Sequence, residues 1–218
     1  MILLKAVLFD FDGTIVDTTE LIHQSMRRAT GEVLGRTPSR EVLLANVGQP
    51  LPRQMELLDP ERTEELLTSY RLHNEELHED LIEAFPNVET SLARLRDAGL
   101  RLAVVTSKRR FSLEMALDSF PVLRDAVDAF VTMENTTEHK PHPAPLLKGL
   151  ELLGDVPPDR AVYVGDSPFD VAAAHAAGTL SVAVSWGVFT EEDLREAEPD
   201  RLFKDLDSAV EFLLGADR

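Results

Sequence analysis

The stretch "VLFDFDGTIVDT", Val7 to Thr18, decides the reading of this chain. An apolar run passes directly into two carboxylates, Asp10 and Asp12, and then into Gly13-Thr14. Like charges held close raise each other's cost of ionisation, so a core strand ending in Asp-x-Asp needs a compensating cation, or a protonated role for one of the pair. Side chains alternate along an extended chain, so positions i and i+2 point into one site. Gly13 frees the backbone to turn tightly behind them.

Working outward, the first apolar run is "LLKAVLF" before Asp10, followed later by "LRLAVVT" ending at Thr106, "RAVYVG" before Asp166 and "LSVAVSW" ending near Trp186. A weaker one, "AFVTM", precedes Glu134. They are nearly continuous rather than alternating, the pattern of parallel strands covered on both faces. Between them, "VETSLARLRDAGL" sets Val88, Leu92 and Leu95 on one helical face with Gly99 as the stop, and "DVAAAHAAGTL" repeats the arrangement to Gly178. Alternating strands and helices predict an α/β fold: a Rossmann-like open parallel sheet with helices on both faces.

From Val16 to Ala84 the signals are helical only. Asp59-Pro60 reads as an N-cap and first helical residue, and Leu66, Tyr70, Leu77 and Leu81 recur behind it at helical spacing. The expected organisation is a core of residues 1–15 and 86–218 with an inserted helical cap over 16–85, hinged near Asp17 and Phe85-Pro86.

Composition excludes several function classes. A chain of 218 residues with 44% hydrophobic content can bury a full core, and the absence of cysteine removes disulfides, thiolate metal sites and a cysteine nucleophile. A net charge of −17 argues against nucleic acid or an anionic membrane as partner, but not against a small phosphorylated substrate, because the few charges lining a pocket decide what enters it. No apolar run reaches membrane-spanning length, and "MILLKAVLFD" lacks the basic start of a signal peptide, so a cytoplasmic location is expected. Monomer and homodimer both stay open.

In a parallel α/β sheet, ligands gather at the carboxyl ends of the strands. Here those ends carry Asp10 and Asp12, then Thr106-Ser107-Lys108, then Lys140 in "HKPHPAP", then Asp166 and Asp170 in "GDSPFD". Asp10 and Asp166, converging from different strands, make an oxygen-rich site suited to Mg²⁺. Lys140 supplies a point charge for phosphate oxygens and the Thr106 hydroxyl a donor. One carboxylate of the first loop can attack phosphorus, and the other can move the proton.

Taken in order, "DFDGT", "VVTSK", "KPHPAP" and "GDSPFD" resemble the motifs of the haloacid dehalogenase superfamily over nearly the whole chain, and the helical insert resembles its C1-type cap. The resemblance implies Asp10 as nucleophile, Asp12 as general acid/base, and Thr106 and Lys140 as further catalytic residues. It also implies Mg²⁺ held by Asp10, the Asp12 carbonyl, Asp166 and Asp170. Gly13 and Ser107 are expected against substrate. Arg53 is the cap candidate for a second anionic group, with Gln49 and His23 as weaker ones. Asp12 argues against the dehalogenases, which lack it, and the lysine-free segment from Ile15 to Phe85 removes the phosphonatase route. The cap segments "VGQPLPRQM" and "YRLHNEELHEDLIEAFPNV" are similar to the pyrophosphatase and phosphoglycolate phosphatase branch. The expected function is therefore a Mg²⁺-dependent phosphatase acting on a small phosphate compound, phosphoglycolate-type or pyrophosphate, through an aspartyl-phosphate. A sugar phosphomutase and a catalytically silent binding protein are the alternatives.

Overall fold

The computed structural model describes residues 4–215; Leu3 of the expected first strand and the outermost residues of the expected core, 1–3 and 216–218, lie outside them. The strands are β1 (Ala6–Phe9), β2 (Val16–Asp17), β3 (Glu83–Ala84), β4 (Arg101–Val105), β5 (Ala129–Val131), β6 (Ala161–Gly165), β7 (Leu180–Val184) and β8 (Arg201–Phe203). Six of them form one parallel sheet in the order β5-β4-β1-β6-β7-β8. β1 therefore sits centrally, with Ala6 opposite Arg101 on one side and Ala161 on the other. The chain builds outward first through β4 and β5, then through β6 to β8. That reversal opens a crevice at the carboxyl edge beside β1.

Alternation along the strands fills both faces. Val7, Phe9, Val104 and Val164 pack with Leu92 and Leu95 of α5 (Val88–Asp97), Leu113 and Leu117 of α6 (Arg110–Ser119) and Val210 of α11 (Leu206–Gly215). Ala6, Leu8, Val105 and Tyr163 face the opposite way, onto Leu146 and Leu150 of α8 (Ala144–Leu152) and Ala173 and Ala174 of α9 (Pro168–Ala177). The short α7 (Val122–Ala126) and α10 (Glu191–Glu196) complete the layers.

Between β2 and β3 run α1 (Thr19–Leu34), α2 (Arg40–Leu44), α3 (Leu51–Leu58) and α4 (Thr63–Leu81). They share their own apolar cluster, built on Ile22, Met26, Leu44, Met55, Leu66 and Tyr70. β2 and β3 pair antiparallel, Val16 opposite Ala84, where the chain leaves the sheet and returns. Two-residue strands carry no periodicity, which is why the sequence shows no strand there.

The structure corrects two details of this segment. Asp59 closes α3 instead of opening α4: it ends the helix, and its carboxylate accepts from the Glu61 and Arg62 amides at 3.0 and 3.1 Å. The buried face of α4 runs Leu66, Tyr70, Asn74, His78, while Leu77 and Leu81 are only half-buried. Among the described residues, no helix is long and apolar enough to cross a membrane.

Candidate active site

The turns after β1, β4 and β6, and the loop following β5, meet at the sheet edge. Asp10 leaves β1 with its amide bonded to the Val164 carbonyl at 2.8 Å, which aims the side chain upward from the middle of the sheet. Lys140 arrives from the loop before α8 and is buried among carboxylates. Its Nζ donates to Asp170 Oδ1 at 2.7 Å and to the Tyr163 hydroxyl at 2.9 Å, and stands 3.0 Å from Asp10 Oδ1. Burial opposes the charge on Lys140, but Asp10 and Asp170 outweigh it and hold the ammonium protonated.

Asp170 caps the start of α9. Its Oδ1 receives Lys140 and lies 3.1 Å from the Tyr163 hydroxyl, while its Oδ2 accepts from the Ser167 amide and hydroxyl. Both oxygens are thus engaged by protein donors. Tyr163 also reaches the Val105 carbonyl at 2.9 Å, so one phenol ties β4, β6 and α9 to the buried ammonium.

Asp166 is held by backbone. The Val188 amide donates to its Oδ2 at 3.0 Å and the Thr14 hydroxyl faces its Oδ1 at 3.4 Å. Two glycines make room for it. A Cβ on Gly13, whose φ is +77°, would sit 2.3 Å from Asp166 Oδ2, and one on Gly187 would sit 2.0 Å from the same atom.

Ligand atoms of Asp10, Asp166 and Asp170 lie within 4.8 Å of one another, all buried. Burial, then Asp170 and Asp12, push the Asp10 carboxyl up to about 7 against the pull of Lys140. Burial with Asp170 and Asp10 raises Asp166 well above the usual carboxylate range. Asp10 Oδ1 has no aligned hydrogen-bond donor. Three buried carboxylates against one ammonium leave an excess of negative charge, and the donor set is all oxygen. These residues fit a hard dication such as Mg²⁺.

Asp12 lines the same edge as Asp10 but has its own partners. Its Oδ1 accepts from the Thr18 hydroxyl at 2.8 Å and from Lys108 Nζ at 2.7 Å. Lys108 also stands 6.0 Å over the Phe11 ring. Thr106 is buried, and its hydroxyl oxygen accepts from the Lys108 amide at 3.1 Å, shaping the loop that carries the lysine. Ser107 donates to the Gly48 carbonyl at 2.7 Å, docking the helical segment on the sheet edge.

Above Asp10 and Asp12 lies a cavity of about 70 Å³. Thr106, Lys108 and Arg109 form its wall; Gln49, Gln54, Tyr70 and Asn74 form its roof. One water needs roughly 10–15 Å³ of such space, so the cavity, which opens to solvent, has room for several waters and suits a small ligand. The roof is unevenly bonded. Gln54 Nε2 donates to the Gln49 carbonyl at 2.7 Å and Gln49 Nε2 to Asn46 at 3.0 Å, but Asn74 reaches Ser25 and Tyr70 only at 3.5 and 3.4 Å, and Gln54 Oε1 is buried without a partner. Arg109 meets Glu75 of α4 at 3.7 Å, and burial together with neighbouring Arg71 lowers its affinity for its proton.

The sequence-predicted residues Asp10, Asp12, Gly13, Thr106, Ser107, Lys140, Asp166 and Asp170 are brought together at this edge. Arg53 is not: it is exposed, pairs with Glu56 at 2.6 Å and lies outside the cavity wall, which Gln49 and Gln54 supply from the same stretch. His23 pairs with Glu20 and Arg40 away from the wall. Lys108 is at the strand end where the sequence placed it, though without a role; Arg109, Tyr70, Asn74 and Tyr163 were not foreseen as part of the site. "TSKRR" advertised Lys108 and Arg109 as a basic run on a strand end; nothing marked Tyr70, Asn74 and Tyr163 out from core or surface positions.

Comparison with known proteins agrees with this geometry. The family model described as "Haloacid dehalogenase-like hydrolase" matches residues 7–184. A protein of Caldanaerobacter subterraneus subsp. tengcongensis bearing the PpaX name is 39% identical over 214 residues, covering 98% of this chain and 96% of its own. "Pyrophosphatase PpaX" of Bacillus cereus is 34% identical over 215 residues, 99% of each chain. The crystal structure titled as a "predicted phosphoglycolate phosphatase" from Haemophilus somnus superposes with a TM-score of 0.83 at 25% identity, covering 98% of this chain and 99% of that one. A matched model across most of the chain, and relatives aligned end to end, place it: this protein belongs to the haloacid dehalogenase-like hydrolase family, as an enzyme of the phosphatase type.

Proposed function

We propose that the enzyme hydrolyses a small phosphate compound carrying a second anionic group, inorganic pyrophosphate first among them, with Asp10 as nucleophile. The observation that carries this reading is the cavity. It is small, has Asp10 at its floor, and has Lys108 and Arg109 in its wall where the non-transferred group would lie. The Bacillus cereus relative named as a pyrophosphatase supports the same choice.

An Asp10 carboxylate oxygen attacks phosphorus, the bond to the leaving oxygen breaks, and an aspartyl-phosphate forms on Asp10. Asp12 hands a proton to the departing oxygen and then takes one from the water that releases phosphate and restores Asp10. Lys140 holds charge beside the transferring group, and its fixed bonds to Asp170 and Tyr163 keep it from reorganising as that charge moves. Lys108 does the same beside Asp12 on the leaving side. Asp10, Asp166 and the Asp12 carbonyl would hold Mg²⁺, which when bound would neutralise charge on the phosphate oxygens. Asp170, both of its oxygens engaged, acts by orienting Lys140 at the edge of that site. Residues 16–85 act as a cap over a core of 1–15 and 86–218, excluding water when closed.

Phosphate release with Mg²⁺ from pyrophosphate, phosphoglycolate and hexose phosphates tests the proposal. Pyrophosphate is expected to give the highest kcat/KM, with phosphoglycolate next. Equal rates on hexose phosphates would contradict the role given to the small cavity.

A further inference from the structure

Three consecutive residues after β7 touch four different parts of the molecule. The Trp186 indole N–H donates to the Thr14 carbonyl at 3.2 Å, in the turn that follows Asp12. The same ring meets Phe85 edge-on, with centroids 6.3 Å apart and planes at 69°. Phe85 directly follows β3, the strand by which the chain returns from the helices, and its amide bonds to the Ile15 carbonyl at 3.4 Å. Gly187 comes so close to Asp166 that any Cβ would collide with the carboxylate. Val188 gives its amide to Asp166 Oδ2 at 3.0 Å and packs its side chain against the apolar cluster of the helical segment.

We propose that Trp186 is a positioning residue for Asp166: the turn 186–188 couples the linker and helical segment to the carboxylate that holds the metal. The inference rests on the reading that Asp10 and Asp166 bind Mg²⁺. Its physical basis is that Asp166 has few other restraints. Besides the Val188 amide it has the Thr14 hydroxyl at 3.4 Å, and Thr14 is the residue whose carbonyl Trp186 holds. Both restraints on the carboxylate therefore pass through the turn or through its partner. A displacement of Phe85 or of the helices pulls on Trp186 and Val188 and reaches Asp166 without any contact between the cap and the carboxylate itself.

Groups that orient metal ligands from behind commonly cost about 10–100-fold in metal affinity when removed. Trp186→Phe keeps an aromatic ring beside Phe85 and removes the donor to Thr14. Phe85→Leu loosens the linker side and leaves the indole in place. Because Trp186 is the chain's one tryptophan, its emission reports on this turn directly.

The experiment is calorimetric titration of Mg²⁺ into wild type, Trp186→Phe and Phe85→Leu, with melting curves in EDTA and tryptophan emission where the indole remains. Wild type should bind Mg²⁺ with a change in emission. Trp186→Phe should bind about tenfold more weakly while melting in EDTA close to wild type. Phe85→Leu should bind about fivefold more weakly, with a smaller emission change, at the low end of coupling between linked sites. At saturating Mg²⁺ the Trp186→Phe kcat should recover to about the wild-type value with KM unchanged, a split that a generally loosened fold does not produce. Wild-type Mg²⁺ affinity in both folded variants overturns the proposal. So does a lower melting point in EDTA with unchanged affinity, which would make Trp186 merely structural. If wild type itself binds no Mg²⁺, the metal reading falls and takes this one with it.

Discussion

The floor and the roof of the cavity are built by opposite rules. In the floor, Lys140, Asp170 and Tyr163 are buried and joined by bonds of 2.7 to 3.1 Å. In the roof, Asn74 makes contacts of 3.4 and 3.5 Å, Gln54 donates to the Gln49 carbonyl at 2.7 Å but leaves its Oε1 without a partner, and Glu75 meets Arg109 of the wall at 3.7 Å. A satisfied buried network is rigid, and a half-satisfied one is costly unless something completes it. On the function proposed above, the floor would hold the reacting groups ready before substrate arrives and substrate would complete the roof, dividing the work between a sheet edge and a helical face.

Asp10→Asn attacks that division hardest. An amide is a poor nucleophile, so turnover should fall by a factor on the order of 10⁴ or more, with the fold retained by circular dichroism. Next comes Lys140→Met, which leaves Asp10 and Asp170 buried without their cation. Breaking a buried pair costs about 3–5 kcal/mol, to be read from urea denaturation. If the loss is below about 1 kcal/mol, the floor is not the rigid network described.

Tyr163→Phe removes one hydroxyl from the same network and should cost about 1–3 kcal/mol. Asn74→Ala, in the roof, sharpens the contrast. Stability should change by less than about 1 kcal/mol, because its bonds are long, while KM rises about tenfold with kcat less affected. Equal stability losses at Tyr163 and Asn74 would erase the distinction between the two regions.

A smaller effect is expected from His78, buried on α4 with Nε2 unpartnered. Burial, with Lys108 nearby, lowers its affinity for a proton against the pull of Asp12 and Glu79. The unfolded chain therefore takes up the proton first, and stability declines as pH falls below about 6.5. His78→Gln should flatten that decline in melting temperature between about pH 6.5 and 5.

The two regions also differ in how openly the sequence declares them. β1, β4 and β6 are each a continuous apolar run followed at once by a residue of the candidate site, so Asp10, Thr106 and Asp166 announce both an element and its end, whereas β8, Arg201–Phe203, has no such run and was not foreseen. Lys140 follows from order along the chain. Tyr163 was hidden because an aromatic residue inside "AVYVG" looks like core, and its ring is core; only the hydroxyl belongs to the site. On α4, hydrophobic periodicity pointed to Leu77 and Leu81, but the helix packs over a polar cavity and buries Asn74 and His78 instead. A helix that covers a site breaks the rule that apolar residues mark the buried face, and the same reason took Arg53 to the surface while Gln54 turned inward. Trp186 gave no sign of its bond to Thr14, since that contact spans most of the chain.

The most direct test is to quench the enzyme during turnover of pyrophosphate with Mg²⁺, reduce any acyl phosphate with borohydride, and map the product by mass spectrometry. The account predicts modification at Asp10 alone, present only while substrate is being turned over, and none in Asp10→Asn. Steady turnover with no modification at any time point, or modification at Asp12 with Asp10 untouched, would contradict it.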